Sequence, residues 1–177
     1  AALYPQARWY DYTANSRDNV YAGTKLAFGE AVRPHFDLSK ANIVVCLDED
    51  LLSEHPAGML HTREWAARRD PAAGEMNRMY AVESRFTTTG LAADHRLPSR
   101  SVDIASYLSK LEEQIQSRLS GKKPEATGDE YAAKVLAAMA EDLVANQGAG
   151  LIAIGSSQPA ELHARVCKLN EQLGNVG

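Results

Sequence analysis

A chain of 177 residues, 45% of them hydrophobic, has enough apolar material for one core and is short for two. Its formal net charge of -4 excludes a general basic field; nucleic-acid binding would need a local basic patch, and the sequence offers none. No apolar run approaches the roughly 18 residues that a membrane-spanning helix requires. The two cysteines, Cys46 in an apolar run and Cys167 on an expected helix, read as buried thiols and not as a disulfide framework. They also fall short of the four thiolates that usually hold an iron–sulfur cluster. The opening AALYPQARWYDY lacks both an initiating Met and a basic region leading into an apolar one, as expected of a processed product or an excised piece.

Taken in chain order, ARWYDY carries strand-forming aromatics. NSRDNVYAGTKLAFGEAV then gives a mixed helical face through Val20, Ala22, Leu26, Ala27 and Ala31. Arg33-Pro34 interrupts that helix. ANIVVCL, residues 41 to 47, is too short for a typical helix and rich in β-branched residues, so it predicts a strand covered on both faces. A polar connection, DEDLLSEHPAG, leads to a helix in GMLHTREWAARR, with Met59, Leu60, Trp65 and Ala66 on one face. RMYAVES predicts the next strand, and TTTGLAADHRLPSR an irregular connection with a small strand near Arg96 and Leu97.

SVDIASYLSKLEEQIQSRL follows as an amphipathic helix, with Ile104, Tyr107, Leu108, Leu111 and Ile115 at helical spacing. GKKPEATGD, residues 121 to 129, reads as a surface loop. EYAAKVLAAMAEDLVANQG is a helix with a stripe of Val135, Leu136, Met139 and Leu143, GLIAIG a strand, and PAELHARVCKLNEQLG a final helix. Repeated strand-to-helix alternation predicts one α/β domain over residues 1 to 177: three layers, a mostly parallel sheet with helices on both faces, Rossmann-like in architecture.

In such a sheet the loops at the carboxyl ends of the strands gather at a ligand crevice. Three of them are candidates here: DEDLLSEHP, ESRFTTTGLAADH and GSSQP. Thr87, Thr88, Thr89 and Gly90 could offer hydroxyl and backbone donors to a phosphate, with Arg85 adding charge. Neither GxxxxGK[ST] nor GxGxxG is present, so a turn that satisfies its own backbone is the plainer reading. Asp48, Glu49, Asp50, Glu54 and His55 suit either a solvated loop or an acid–base or metal cluster whose spacing fixes no geometry. Asp94 and His95 read as a brace or a relay, and Gly155 to Ser157 as a strand-to-helix turn. Trp9, Tyr10 and Tyr12 read as strand packing or a base-stacking platform. His163 reads as packed or partly exposed, and neither thiol has an activating partner at a legible spacing.

Three ordered stretches together are more specific: FGEAVRPHFDLSKANIVVCLDEDLLSEHP, MNRMYAVESRFTTTGLAADHRLPSR, and GLIAIGSSQPAELHARVCKLNEQLGNVG. In this order they resemble the cofactor-domain region of the molybdopterin oxidoreductase family. Within it they are most similar to the molybdopterin-oxidoreductase-like domain of the large iron–sulfur subunit of bacterial alternative complex III, a quinol-oxidising respiratory assembly. The resemblance spans most of residues 7 to 177 and is strongest at 41 to 100 and 150 to 177.

The resemblance implies a domain of a larger redox protein, with iron–sulfur clusters elsewhere in the full protein and other domains and respiratory-complex subunits as partners. It implies membrane association on the extracytoplasmic side through that complex, with the isolated piece soluble. In catalytic relatives the corresponding loops hold bis-molybdopterin guanine dinucleotide. Here Glu83, Thr88, Thr89, Gly90, Ala93, Asp94 and Asp103 fall in that connection. Ser84 replaces a proline, and RSVD, Arg100 to Asp103, lacks the Pro-Gly turn that precedes the guanine-reading Asp. The expectation is therefore a retained scaffold: no catalytic residue, no metal ligand and no bound cofactor, with Glu83, Thr88, Thr89, Gly90, Asp94 and Asp103 as a vestigial loop. The alternatives are an active domain that binds the dinucleotide, or an unrelated nucleotide-binding or hydrolytic α/β protein.

Overall fold

A computed structural model of the chain describes residues 4–8, 10, 12, 16–74, 76–122 and 131–177. Four strands, β1 (Ile43–Leu47), β2 (Arg78–Glu83), β3 (His95–Pro98) and β4 (Gly150–Ile154), form one sheet in the order β3-β2-β1-β4. Every pairing is parallel. Among the described residues six α-helices accompany them: α1 (Asp18–Phe28), α2 (Gly58–Ala67), α3 (Thr88–Ala92), α4 (Ile104–Leu119), α5 (Tyr131–Ala145) and α6 (Ala160–Gln172). This is a small α/β domain with a generic Rossmann-like topology. The chain moves from β1 to β2 and β3 on one side and then crosses back to β4 on the other, which puts the switch point between β1 and β4.

The buried strand β1 explains the layering. All five of its residues are buried, so its side chains must be covered on both faces. Val45 and Leu47 face Tyr80, Val82, Leu97, Ile152 and Ile154 across the register, and α4, α5 and α6 cover that face with Leu108, Leu111, Met139, Leu143 and Val166. Val44 and Cys46 take the opposite face with Met79, Leu38, Leu51 and Trp65 of α2. Asp142 of α5 accepts hydrogen bonds from Tyr80 Oη at 2.6 Å and from Arg78 at 2.7 Å, which fixes that helix against β2.

The outer edge of β4 is closed by a side chain. The Asn170 carboxamide accepts from the Ile152 N–H at 3.0 Å and donates to the Ile152 carbonyl at 2.8 Å, and Asn175 Oδ1 accepts from Gly150 N–H at 3.2 Å. A parallel edge strand presents outward backbone groups on alternate residues, and two amides on and just after α6 answer them.

Several sequence expectations are corrected. Tyr10 and Tyr12 lie outside any strand and are 79% and 91% exposed; aromatic composition favours a strand only where a neighbouring strand takes the backbone bonds. Trp9 lies outside the described residues, as does 123–129 of the expected surface loop. Helix α1 ends at Phe28, short of Arg33-Pro34, because Gly29 adopts φ 86° and returns its N–H to Lys25. Its buried residues are Gly23 and Thr24, while Leu26 is exposed: α1 docks on α6, and small residues allow that approach. In α2 the buried face is Gly58, His61 and Trp65, with Met59 pointing to solvent. Residues 88–92, expected as irregular, form α3.

Candidate functional site

The carboxyl edge of the sheet opens into a cleft of about 790 Å³. The β1–α2 connection supplies Asp48, Glu49, Asp50 and Glu54; the end of β2 and its loop supply Glu83, Ser84, Arg85 and Thr87. Ser101, Ser156, Ser157 and the segment before α1, with Arg17, complete it.

Asp48 braces this edge. Its backbone turns through φ 54°, a left-handed conformation that Asp tolerates better than most residues. That turn places its carboxylate among the other loops. Oδ1 accepts from Ser84 N–H at 3.2 Å and Ser84 Oγ at 2.9 Å, while Oδ2 accepts from Ser101 Oγ at 2.5 Å and Gln158 Nε2 at 3.2 Å. Burial opposes its ionisation, but the bonds from Ser101, Ser84 and Gln158 prevail and hold the carboxyl below the usual aspartate value. At Gly155 a Cβ would lie 2.1 Å from the Asp48 carbonyl, so the ends of β1 and β4 meet as closely as backbone permits.

A second brace occupies the threonine loop. Thr87 caps α3 by accepting from Gly90 N–H at 3.1 Å, and its hydroxyl donates to Glu83 Oε2 at 2.6 Å. Thr89 donates to Asp50 at 2.7 Å and accepts from Leu52 N–H at 2.9 Å. Glu83, 2% exposed, pairs with Arg96 Nε at 2.5 Å directly beneath Gly90, where a Cβ would stand 1.9 Å from Oε1. Arg85 pairs with Glu54. The donors that the sequence offers at Thr87, Thr89 and Gly90 are thus taken up within the protein. Of the five carboxylates in the lining, Glu54 and Glu83 are paired with Arg85 and Arg96, and Asp48 and Asp50 oppose a pyrophosphate at this edge.

The six residues of the expected vestigial loop do not share one place. Glu83, Thr89 and Gly90 are buried at the carboxyl edge, and Thr88 is exposed on α3. Asp94 lies toward the amino ends of the strands, held by Arg69 at 2.7 Å and by Met79 N–H at 2.9 Å. Its neighbour His95 stacks on Tyr80, with ring centroids 5.0 Å apart. Asp103 faces solvent, paired with Arg100 at 2.7 Å.

Glu49 is the perturbed carboxyl of the cleft. Burial pushes it up to about 7; Arg17 opposes the rise, and Asp50 and Glu54 add to it. Burial likewise holds His55 down at about 4, with His61, Arg17, Arg33 and His35 contributing. A smaller pocket of about 70 Å³ shares Arg17, Glu49 and Ser156 with the cleft and is otherwise lined largely by apolar side chains such as Val20, Phe36, Ile154 and Val166. His163 is 5% exposed and its Nε2 has no partner among the described residues; burial holds the ring below its ordinary value. Among the described residues no three His, Cys, Asp or Glu side chains are placed to share a metal ion.

The sequence named Asp48 to Glu54 and the GSSQP turn with Ser156 and Gln158 as candidate loops, and His163 as packed or partly exposed, but missed Arg17 and Ser101. Both are remote in sequence from the carboxylates they meet, Asp48 for Ser101 and Glu49 for Arg17. Compared with known proteins, the chain matches no family model and has no significant match among curated proteins.

Proposed function

We propose that this chain is a non-catalytic structural domain of a respiratory quinol:electron-acceptor oxidoreductase. The observation that carries the reading is the bracing of the carboxyl edge: Asp48 joins the loops after β1, β2 and β4 and the turn that precedes α4, and Asp50 and Glu83 occupy the threonine loop from below. An edge tied together in this way serves to hold surfaces in position. The larger setting rests on the resemblance of residues 41–100 and 150–177 to molybdopterin oxidoreductases. In that setting the domain supports neighbouring domains and subunits, and electrons travel through iron–sulfur centres and haems elsewhere in a complex on the extracytoplasmic side of the membrane. No helix among the described residues is long and apolar enough to cross a membrane, so membrane association would come from other parts of the complex.

Molybdenum and pterin analysis of the full native protein tests this, together with calorimetric titration of the chain with guanosine diphosphate. The expected result is neither group in stoichiometric amount and no saturable nucleotide binding. Stoichiometric molybdenum and pterin would overturn it in favour of an active dinucleotide-binding domain.

A further inference from the structure

We infer that α1 and the strap after it, residues 29–37, form a cover that lifts as one body from β4 and α6 while the sheet stays folded. Helix α1 lies close to α6 and yet buries little against it. A Cβ on Gly23 would stand 2.3 Å from the His163 Cβ, but the buried residues of α1 are Gly23 and Thr24. Its large apolar side chains, Tyr21, Leu26 and Phe28, are exposed, whereas α4 buries Ile104, Leu108, Leu111 and Ile115. Apolar burial stabilises by about 25 cal/mol per Å², so a contact of backbone and small side chains holds α1 far less firmly than α4 is held. Thr24 makes helix and strap one body: its hydroxyl accepts from Val32 N–H at 3.1 Å and donates toward the carbonyls of Tyr21 and Val32, each at 3.0 Å. Phe36 clasps the far end of the strap, half-buried against the rings of His55 and His61 at centroid distances of 5.5 and 6.1 Å. The hinge follows at Leu38, fully buried, whose N–H donates to Glu64 at 3.0 Å.

The space beneath the cover agrees. The pocket of about 70 Å³ has Val20, Pro34 and Phe36 on the cover and Ile154, Val166 and Cys167 on the body of the domain. A groove of about 370 Å³ continues along the same seam, with Phe28 and Val32 on the cover and Leu151, Cys167 and Asn170 on the body. Protein interiors leave few voids larger than a water molecule, and each gap forfeits dispersion contacts that hold two walls together. A seam with that much unfilled space opens at lower cost than the packed faces of the sheet. The pocket shares Arg17, Glu49 and Ser156 with the acidic cleft, and Pro34, Phe36, Cys167 and Asn170 with the groove. Lifting the cover therefore joins cleft and groove into one trough along β4. The body tolerates that exposure because Asn170 keeps both outward groups of Ile152 paired, and Asn175 the N–H of Gly150. The cover thus gates the β4 wall of the cleft.

The gate goes beyond the structural-domain reading and does not depend on it: metal and pterin analysis decides that reading and leaves the opening as it is. Hydrogen exchange and thiol labelling of the 177-residue chain test it. A lifted α1 of 11 residues is too short to stay helical alone, so its amides exchange when the cover opens. Amides of residues 22–28 are expected to exchange as one group, about a hundredfold faster than those of Val44 to Leu47 and with a smaller urea dependence. Cys167, on the body beneath the cover, is expected to react with a dipyridyl disulfide faster than Cys46, 1% exposed in β1. Phe36→Ala, a change at the half-buried clasp, is expected to speed both the α1 exchange and the Cys167 labelling by about tenfold. Protection of α1 equal to that of β1, or exchange of its amides one by one, overturns the inference. So does a Cys167 rate that Phe36→Ala leaves unchanged, since the thiol is then reached without lifting the cover. Circular dichroism checks that Phe36→Ala is folded, and exchange in the unaltered chain decides the question without it.

Discussion

Replacing Glu49 by Gln should stabilise the protein, and the gain should depend on pH in one direction. Burial raises this carboxyl from 4.5 to about 7, so the folded state holds a proton that the unfolded chain releases. Its contribution is fully present below about pH 4.5 and is lost as pH rises toward 7, where the buried group must ionise. A shift of that size corresponds to about 3 kcal/mol at 1.36 kcal/mol per unit. Gln keeps the shape and the acceptor for Ser156 N–H but has nothing to ionise. Urea unfolding of both proteins from pH 4.5 to 8 reads the difference directly, because titrations remote from Glu49 cancel between them. The stability of Glu49→Gln relative to the parent should rise by about 3 kcal/mol across the range and level off above pH 7. A difference that stays flat with pH, or a variant less stable at pH 8, would refute the assignment of Glu49 as a carboxyl that is buried at a cost.

Two further substitutions probe the braces. Gly90→Ala drives a Cβ into the Glu83 carboxylate and should cost about 3 kcal/mol or more, with a large part recovered in the Gly90→Ala, Glu83→Ala double variant, as measured by urea unfolding. Asn170→Ala leaves the outward N–H and carbonyl of Ile152 without partners and should cost about 2 kcal/mol; hydrogen exchange at Ile152 should accelerate more than at Val45 in the sheet centre.

The strands were the legible part of the fold. ANIVVCL announced a strand covered on both sides, and the five buried residues of β1 follow from the absence of any polar position in it. Helices α4 and α5 were legible for a similar reason: a stripe such as Leu108, Leu111 and Ile115 has one way to hide. Helix α1 was located, but its face was not read, since contact with another helix through Gly23 and Thr24 leaves no apolar signal. The aromatic opening misled because Tyr residues serve equally well in solvent. In the site, the acidic run after β1 was visible but its purpose was not. The partners of Asp48 are Ser84, Ser101 and Gln158, 36, 53 and 110 positions away, and only the sheet order brings them together.

The amide seal on β4 decides how this sheet can be extended. A doubly wound sheet grows beyond its switch point by adding strands on the β4 side, and there Asn170 already fills the place of the next strand's backbone at Ile152. A further strand, from elsewhere in a longer chain or from another subunit, would first have to lift α6 away and break those bonds. Strand-by-strand growth is therefore directed to β3, which among the described residues pairs on one side only. On the β4 side, neighbours must meet the domain through the helical surface of α1 and α6.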